Sequence, residues 1–148
     1  PAFLDVVRSE HTSGQVTEAA LSAVNKLLQL NVLAVDDEET ARAAMSSIVS
    51  SVTHCRFEAS DPASDEVVLM KLLQVLVVCM RCPARAQLTD EAVCEVVQAC
   101  FRICAQPRLS VLLRRTAEST LVEVVWILFG GLPDLVAGVH AGVDAGTE

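Results

Sequence analysis

The sequence predicts an all-α fold made of repeated helices. Apolar residues recur at helical spacing along most of the chain, and the chain is 52% hydrophobic with only 3% aromatic residues, so its core must be aliphatic. Predicted helix starts recur every 20 to 26 residues or so, about 40 to 50 residues per helix pair, which is close to the period of armadillo and HEAT repeats. We therefore expect a short α-solenoid, with a compact helical bundle as the open alternative.

Three helices are predicted in the first third of the chain. Residues 3–8 look like the end of one helix. Residues 15–30 carry an apolar stripe at the i, i+3, i+4 and i+7 positions of a helix, formed by Val16, Ala19, Ala20, Ala23, Val24, Leu27 and Leu28. A third helix over 38–52 follows the acidic run 36–39, and negative charge favours a helix N-terminus.

The central helix is predicted over residues 65–80. A turn signal at 60–62 precedes Ser64, which would cap the helix, and Pro83 follows its end. The segment is apolar nearly all round, so we expect it to be the buried centre of the fold.

Two further helices have clear start signals. Thr89 and Ser110 are predicted N-caps, and the helices that they begin run toward Pro107 and Gly130 respectively. The first carries a stripe that includes Val93, Val97 and two cysteines, and the second carries Val111, Leu112, Ala117, Leu121, Val124, Val125 and Leu128. We assign residues 1–135 to one helical domain and predict a flexible tail over 136–148.

Charge and hydropathy exclude several classes of function. The net charge of −8 and the pI of about 4.8 oppose nucleic-acid binding. Lys71, Gln74 and Arg81 interrupt the longest apolar stretch before it reaches the length of a membrane-spanning helix. The chain starts at Pro1 without a recognisable signal peptide, so we expect a cytosolic protein whose first helices lie upstream.

Cysteines offer a candidate metal site. Cys79 and Cys82, together with Cys100 and Cys104, could supply four thiolates to a zinc ion. Their spacing is poor for zinc, and they lie on apolar stripes where free cysteine packs as a small hydrophobic residue. Core packing in a reducing cytosol is the favoured interpretation, and a thiol- or zinc-dependent module is the rival.

The sequence provides no catalytic or cofactor-binding residues. It contains no zinc-protease, P-loop, serine-hydrolase or dinucleotide motif, and the adjacent pair His54 and Cys55 is poorly placed for nucleophilic catalysis. A modest basic cluster could bind anionic lipid or an acidic partner, although a solvated face is the commoner explanation. It consists of Arg102, Arg108, Arg114 and Arg115.

Longer strings carry a family resemblance. Residues 3–9, 23–28, 51–57 and 61–76 closely resemble the N-terminal dimerisation and cyclophilin-binding (DCB) domain of large Golgi-type Arf guanine-nucleotide exchange factors, and the plant GNOM-like branch fits best. Residues 93–104 and 132–134 continue the match, whereas the cysteine- and alanine-rich region 79–106 and the Gly-rich tail depart from the family pattern.

The resemblance implies a regulatory domain rather than an enzyme. Such a domain forms homodimers or docks on the neighbouring homology domain of the same exchange factor, whose exchange chemistry lies in a separate catalytic domain. It also implies cyclophilin or a small GTPase as partners, and peripheral association with Golgi or endosomal membranes through the full-length protein in vesicle trafficking.

The resemblance also points to two charged positions of the family that fall inside the matching strings. It implies that these residues, Lys26 and Glu66, are interface residues. Each also has a simpler structural explanation: Lys26 can extend its aliphatic stem along a helix face, and Glu66 can favour its helix N-terminus.

Overall fold

The computed structural model describes residues 2–33, 37–57 and 62–130. These ranges contain six α-helices, one 3-10 helix and no β-strand, so the predicted all-α class is confirmed. The α-helices are α1 (Ala2–Arg8), α2 (Gly14–Gln29), α3 (Glu38–Thr53), α4 (Pro62–Arg81), α5 (Asp90–Cys104) and α6 (Val111–Phe129). The 3-10 helix spans Pro83–Gln87.

The helices form two layers. Helices α2, α4 and α6 lie side by side in one layer, and α1, α3 and α5 succeed one another in the second. Each odd-numbered helix also packs against the even-numbered helix that follows it, so the pairs α1/α2, α3/α4 and α5/α6 stack in sequence order. This arrangement confirms the helical-repeat prediction, because each pair buries its apolar face against its neighbours.

Helix α4 is the centre of the molecule, as its all-round apolar sequence predicts. It contacts α2 and α6 within its own layer. Outside that layer it contacts α3, α5 and the 3-10 helix. Leu73, Leu76 and Met80 are fully buried there. The helix begins at Pro62, earlier than the predicted start at residue 65. Proline suits the first helical turn because its missing N–H has no partner within the helix there.

Side-chain caps fix several helix starts. The Thr89 hydroxyl accepts a hydrogen bond from the Ala92 N–H at 3.2 Å, and the Ser110 hydroxyl accepts one from the Leu113 N–H at 3.2 Å. The predicted caps Thr89 and Ser110 are therefore confirmed, and they satisfy backbone donors that have no partner within the helix. The predicted cap Ser64 is wrong, because Ser64 lies inside α4.

Helix α2 ends in a Schellman motif. The Asn31 N–H donates to the Leu28 carbonyl and the Val32 N–H donates to the Leu27 carbonyl, while Asn31 adopts a φ of 54°. This pattern satisfies the last helical carbonyls, and asparagine tolerates the left-handed conformation better than most residues. It also brings Val32 back toward Leu27.

Other sequence-based expectations need correction or lie outside the described ranges. Pro83 does not simply end α4, since it begins the 3-10 helix whose Ala84 packs into the core. In α2 the buried face includes Leu21, whereas Val16 and Leu27 are 49% and 41% exposed. The boundary near residue 135 and the tail 136–148 lie outside the described residues.

Candidate interaction surface

Among the described helices, α6 carries the most exposed large apolar side chains. Its core face consists of Leu113, Ala117, Thr120 and Val124. The opposite side carries four large apolar side chains at spacings of three and four residues, which places them on one face. They form the α6 stripe: Val122 (57% exposed), Val125 (39%), Trp126 (72%) and Phe129 (57%).

The apolar residues that mark α6 in the sequence do not share one environment. Helix α6 is apolar on several sides, and Ala117 and Val124 are indeed buried, but Val111, Leu112 and Val125 are exposed. The reason is that the described neighbours of α6 are α4 and α5, which cover only its core face. Contiguous exposed apolar side chains on a folded domain are typical of an interaction site.

A second apolar feature is a groove of about 360 Å³ between α1, α2 and α3. It includes both side chains that the Schellman motif draws together, Leu27 and Val32. The remaining lining residues are Phe3, Leu4, Val24, Leu28, Leu33, Ala44, Ser47 and Ile48.

Lys26 lies in the last turns of α2 and is not one of the residues that line this groove. Its side chain is exposed, and no carboxylate of the described residues lies within ion-pair distance of it. Its neighbours Asn25 and Gln29 share a surface depression with Gln74 and Val77 of α4. Lys26 is therefore level with the second half of α4.

Glu66 occupies a different position, in the first turns of α4. It is half-buried, and the Ser110 N–H donates a hydrogen bond to its Oε1 atom at 2.6 Å. The Ser110 hydroxyl, followed by this N–H, holds the pKa of the Glu66 carboxyl below its usual value. Glu66 thus ties the start of α4 to the N-cap of α6.

The structure does not bring the two predicted interface residues together within one chain. Glu66 precedes Gln74 by eight residues, about 12 Å along the α4 axis, and Lys26 lies beside this later part of α4. Sequence reasoning missed the partnership of Glu66 with Ser110, because the two residues are 44 positions apart and no local pattern links them.

Comparison with known proteins places this architecture in a family. A family model described as the Mon2/Sec7/BIG1-like dimerisation and cyclophilin-binding domain, DCB, matches residues 6–133. The chain belongs to the DCB domain family. The resemblance carried by the sequence strings is therefore confirmed.

Two similar relatives of this DCB domain are named as exchange factors. It is 49% identical over 136 residues to the ARF guanine-nucleotide exchange factor GNOM of Arabidopsis thaliana, covering 90% of this chain and 9% of GNOM. It is 42% identical over 135 residues to the Golgi-specific brefeldin A-resistance guanine nucleotide exchange factor 1 homolog of Caenorhabditis elegans, covering 90% of this chain and 7% of that protein. The chain thus spans less than a tenth of the length of either relative.

The four cysteines that were considered as zinc ligands pack within the fold of the DCB domain. Cys79, Cys82 and Cys100 are buried, and Cys104 is half-buried. Burial raises the pKa of Cys79 to about 12 and that of Cys100 to about 11, so both thiols are protonated at neutral pH and are poor nucleophiles. Within the described ranges, no three His, Cys, Asp or Glu side chains are grouped so that they could hold a metal ion.

The described helices of the DCB domain also include none that is long and apolar enough to cross a membrane.

Proposed function

We propose that this chain is a non-catalytic self-association and docking module of a large Arf guanine-nucleotide exchange factor that acts in vesicle trafficking at Golgi and endosomal membranes. The family description names dimerisation, and the relatives are exchange factors of which this domain is a small part. Another domain of the whole protein then catalyses nucleotide exchange. This module regulates that domain and helps to target it to the membrane.

The observation that carries the proposal is the α6 stripe. Trp126 and Phe129 are the kind of large, exposed aromatic residues that dominate the energetics of protein interfaces. A second copy of the same stripe is a suitable partner, because a two-fold axis places the same apolar patch of both chains face to face. Self-association would thereby bury side chains that the fold leaves in water.

Lys26 and Glu66 define an alternative self-association surface, on the layer formed by α2, α4 and α6. A two-fold interface lets residue i of one copy contact residue j of the other, and the reverse. Lys26 of one copy could thus pair with Glu66 of the other although they lie apart within one chain. The two surfaces make different predictions for the effect of substitutions.

Light scattering across a concentration series tests the proposal. We expect the parent to form a dimer and Trp126→Glu to give a folded monomer, because the charge would be buried in the apolar interface. Phe101→Glu is the matched control, since Phe101 is also aromatic and 56% exposed but belongs to α5. A parent that remains monomeric at every concentration would refute self-association of this chain.

The alternative surface is tested by Lys26→Ala and Glu66→Ala in the same assay. Glu66→Ala also removes the bond from the Ser110 N–H, so Glu66→Gln is its control, because the amide oxygen can still accept that bond without the charge. If Lys26→Ala, Glu66→Ala and Glu66→Gln give monomers while Trp126→Glu stays dimeric, the interface lies on the α2–α4–α6 layer.

Docking on other proteins is tested separately. The neighbouring homology domain of the same exchange factor, cyclophilin and a small GTPase are the proposed hetero-partners, of which the family description names cyclophilin binding. We expect calorimetric titration of the parent with each of these three proteins to show binding. Trp126→Glu should weaken that binding. Equal binding by both would place the docking surface away from the α6 stripe.

A further inference from the structure

The start of α6 carries a second exposed surface, separate from the α6 stripe. Val111 and Leu112 are 71% and 69% exposed. Arg108 precedes them in the connection from α5, and Arg115 follows one helical turn later. We name these four residues the α5–α6 corner. Leu112 precedes Val122 of the stripe by ten residues, about 15 Å along the helix.

Positive charge is concentrated around this corner although the whole chain is acidic. Residues 96–117 contain four of the 11 basic residues and no Asp or Glu, whereas the net charge of the chain is −8. Glu118, three residues after Arg115, is the next acidic residue along the chain. A local basic surface on an acidic domain indicates a partner with negative charge.

The four arginines differ in their contacts: two donate hydrogen bonds to backbone carbonyls, and two are exposed. Arg102 donates to the Thr53 carbonyl at the end of α3, and Arg114 donates to the Gln106 carbonyl. Arg108 and Arg115 are exposed, and within the described part of the chain neither forms an ion pair. Glu66 reaches the corner at Ser110. Its carboxylate accepts a hydrogen bond from the Ser110 N–H and not from one of the arginines.

We propose that the α5–α6 corner binds the surface of an anionic bilayer. Val111 and Leu112 would enter the boundary between headgroups and acyl chains, while Arg108 and Arg115 bind lipid phosphates. Aliphatic side chains next to arginines match this boundary, where apolar and negatively charged groups lie within a few ångströms. Arginine also binds phosphate oxygens through two parallel hydrogen bonds.

A bilayer fits the corner better than an acidic protein does. Both aliphatic side chains project with more than two thirds of their surface exposed, and a fluid bilayer accommodates a projection without a matching cavity. The acidic remainder of the chain would be repelled by the same membrane, which favours approach through the corner. This inference does not depend on self-association through the α6 stripe.

Vesicle co-flotation tests the proposal. We expect the parent to float with vesicles of phosphatidylcholine and phosphatidylserine but not with phosphatidylcholine alone, and to be released at high salt. The double variant Arg108→Glu and Arg115→Glu should reduce the bound fraction more than about tenfold, and Leu112→Asp should also reduce it. Circular dichroism would verify that the variants remain folded.

The control variant reverses the same number of charges elsewhere. Arg42→Glu with Arg56→Glu changes two exposed arginines that pair with Glu38 and Glu10 and belong to neither α5 nor α6. It should still float, and Trp126→Glu should float whether or not it dimerises. Failure of self-association is therefore distinguishable from failure of membrane binding.

Three results would overturn the inference. The first is failure of the parent to float with any anionic vesicle, and the second is equal loss of binding by the corner and control variants. Retention on immobilised polyglutamate without vesicle flotation would instead identify an acidic protein as the partner of the corner.

Discussion

Glu66 shows how one carboxylate can hold two distant helices in register. Its Oε1 atom accepts from the N–H of Ser110, 44 residues further along the chain, while the Ser110 hydroxyl caps α6. The family resemblance selects Glu66 and the capping pattern selects Ser110, but neither observation links them. A contact between residues so far apart follows from the stacking of α4 on α6, which no local sequence pattern contains.

This contact predicts a pH-dependent contribution to stability. Because the folded-state pKa of Glu66 is lowered, its stabilisation is fully present above the unfolded-state value of about 4.3. It is lost as the pH falls through the lower folded-state pKa. We expect Glu66→Gln to reduce the free energy of unfolding at pH 7, and this difference to shrink below about pH 4.

Urea denaturation at a series of pH values measures the effect. Glu118→Gln is a suitable control, since Glu118 is an exposed carboxylate on the same helix as Ser110. A difference between parent and Glu66→Gln that stays constant with pH would show that the ionised form gains nothing from Ser110.

Helix boundaries were predictable where a side chain or a special backbone conformation defines them. Thr89 and Ser110 begin α5 and α6 as predicted, because each satisfies a backbone donor in its own helix. The 3-10 helix at Pro83–Gln87 was missed, because proline ends an α-helical pattern but is compatible with the first turn of a tighter helix.

The end of α2 provides a test at this scale. Asn31 has a φ of 54°, which a β-branched residue adopts at a cost of about 1 to 2 kcal/mol. We expect Asn31→Val to lower the free energy of unfolding by about that amount and Asn31→Gly to leave it unchanged or raise it. Thermal denaturation followed by circular dichroism would compare the three proteins. Equal stability of the valine and glycine variants would contradict the role of the left-handed conformation.

The overall architecture was the most predictable level, and the interaction surfaces were the least. The spacing of helix starts indicates stacked pairs, and the all-round apolar α4 lies at the centre of its layer and contacts the other layer through α3 and α5. Helix α6 is also apolar on several sides, yet Trp126 and Phe129 are exposed. Sequence alone does not show which face of such a helix is covered, because that depends on how many neighbours surround it.

Trp126 has a practical consequence as a spectroscopic group. The chain has one Trp and no Tyr, and this indole is 72% exposed. Its ultraviolet emission therefore reports on the solvent around α6 and hardly on the core, so unfolding of the isolated domain should change the emission wavelength little. Covering of the stripe by a second copy or another protein should shift the emission to the blue, and this unlabelled signal would follow docking in real time.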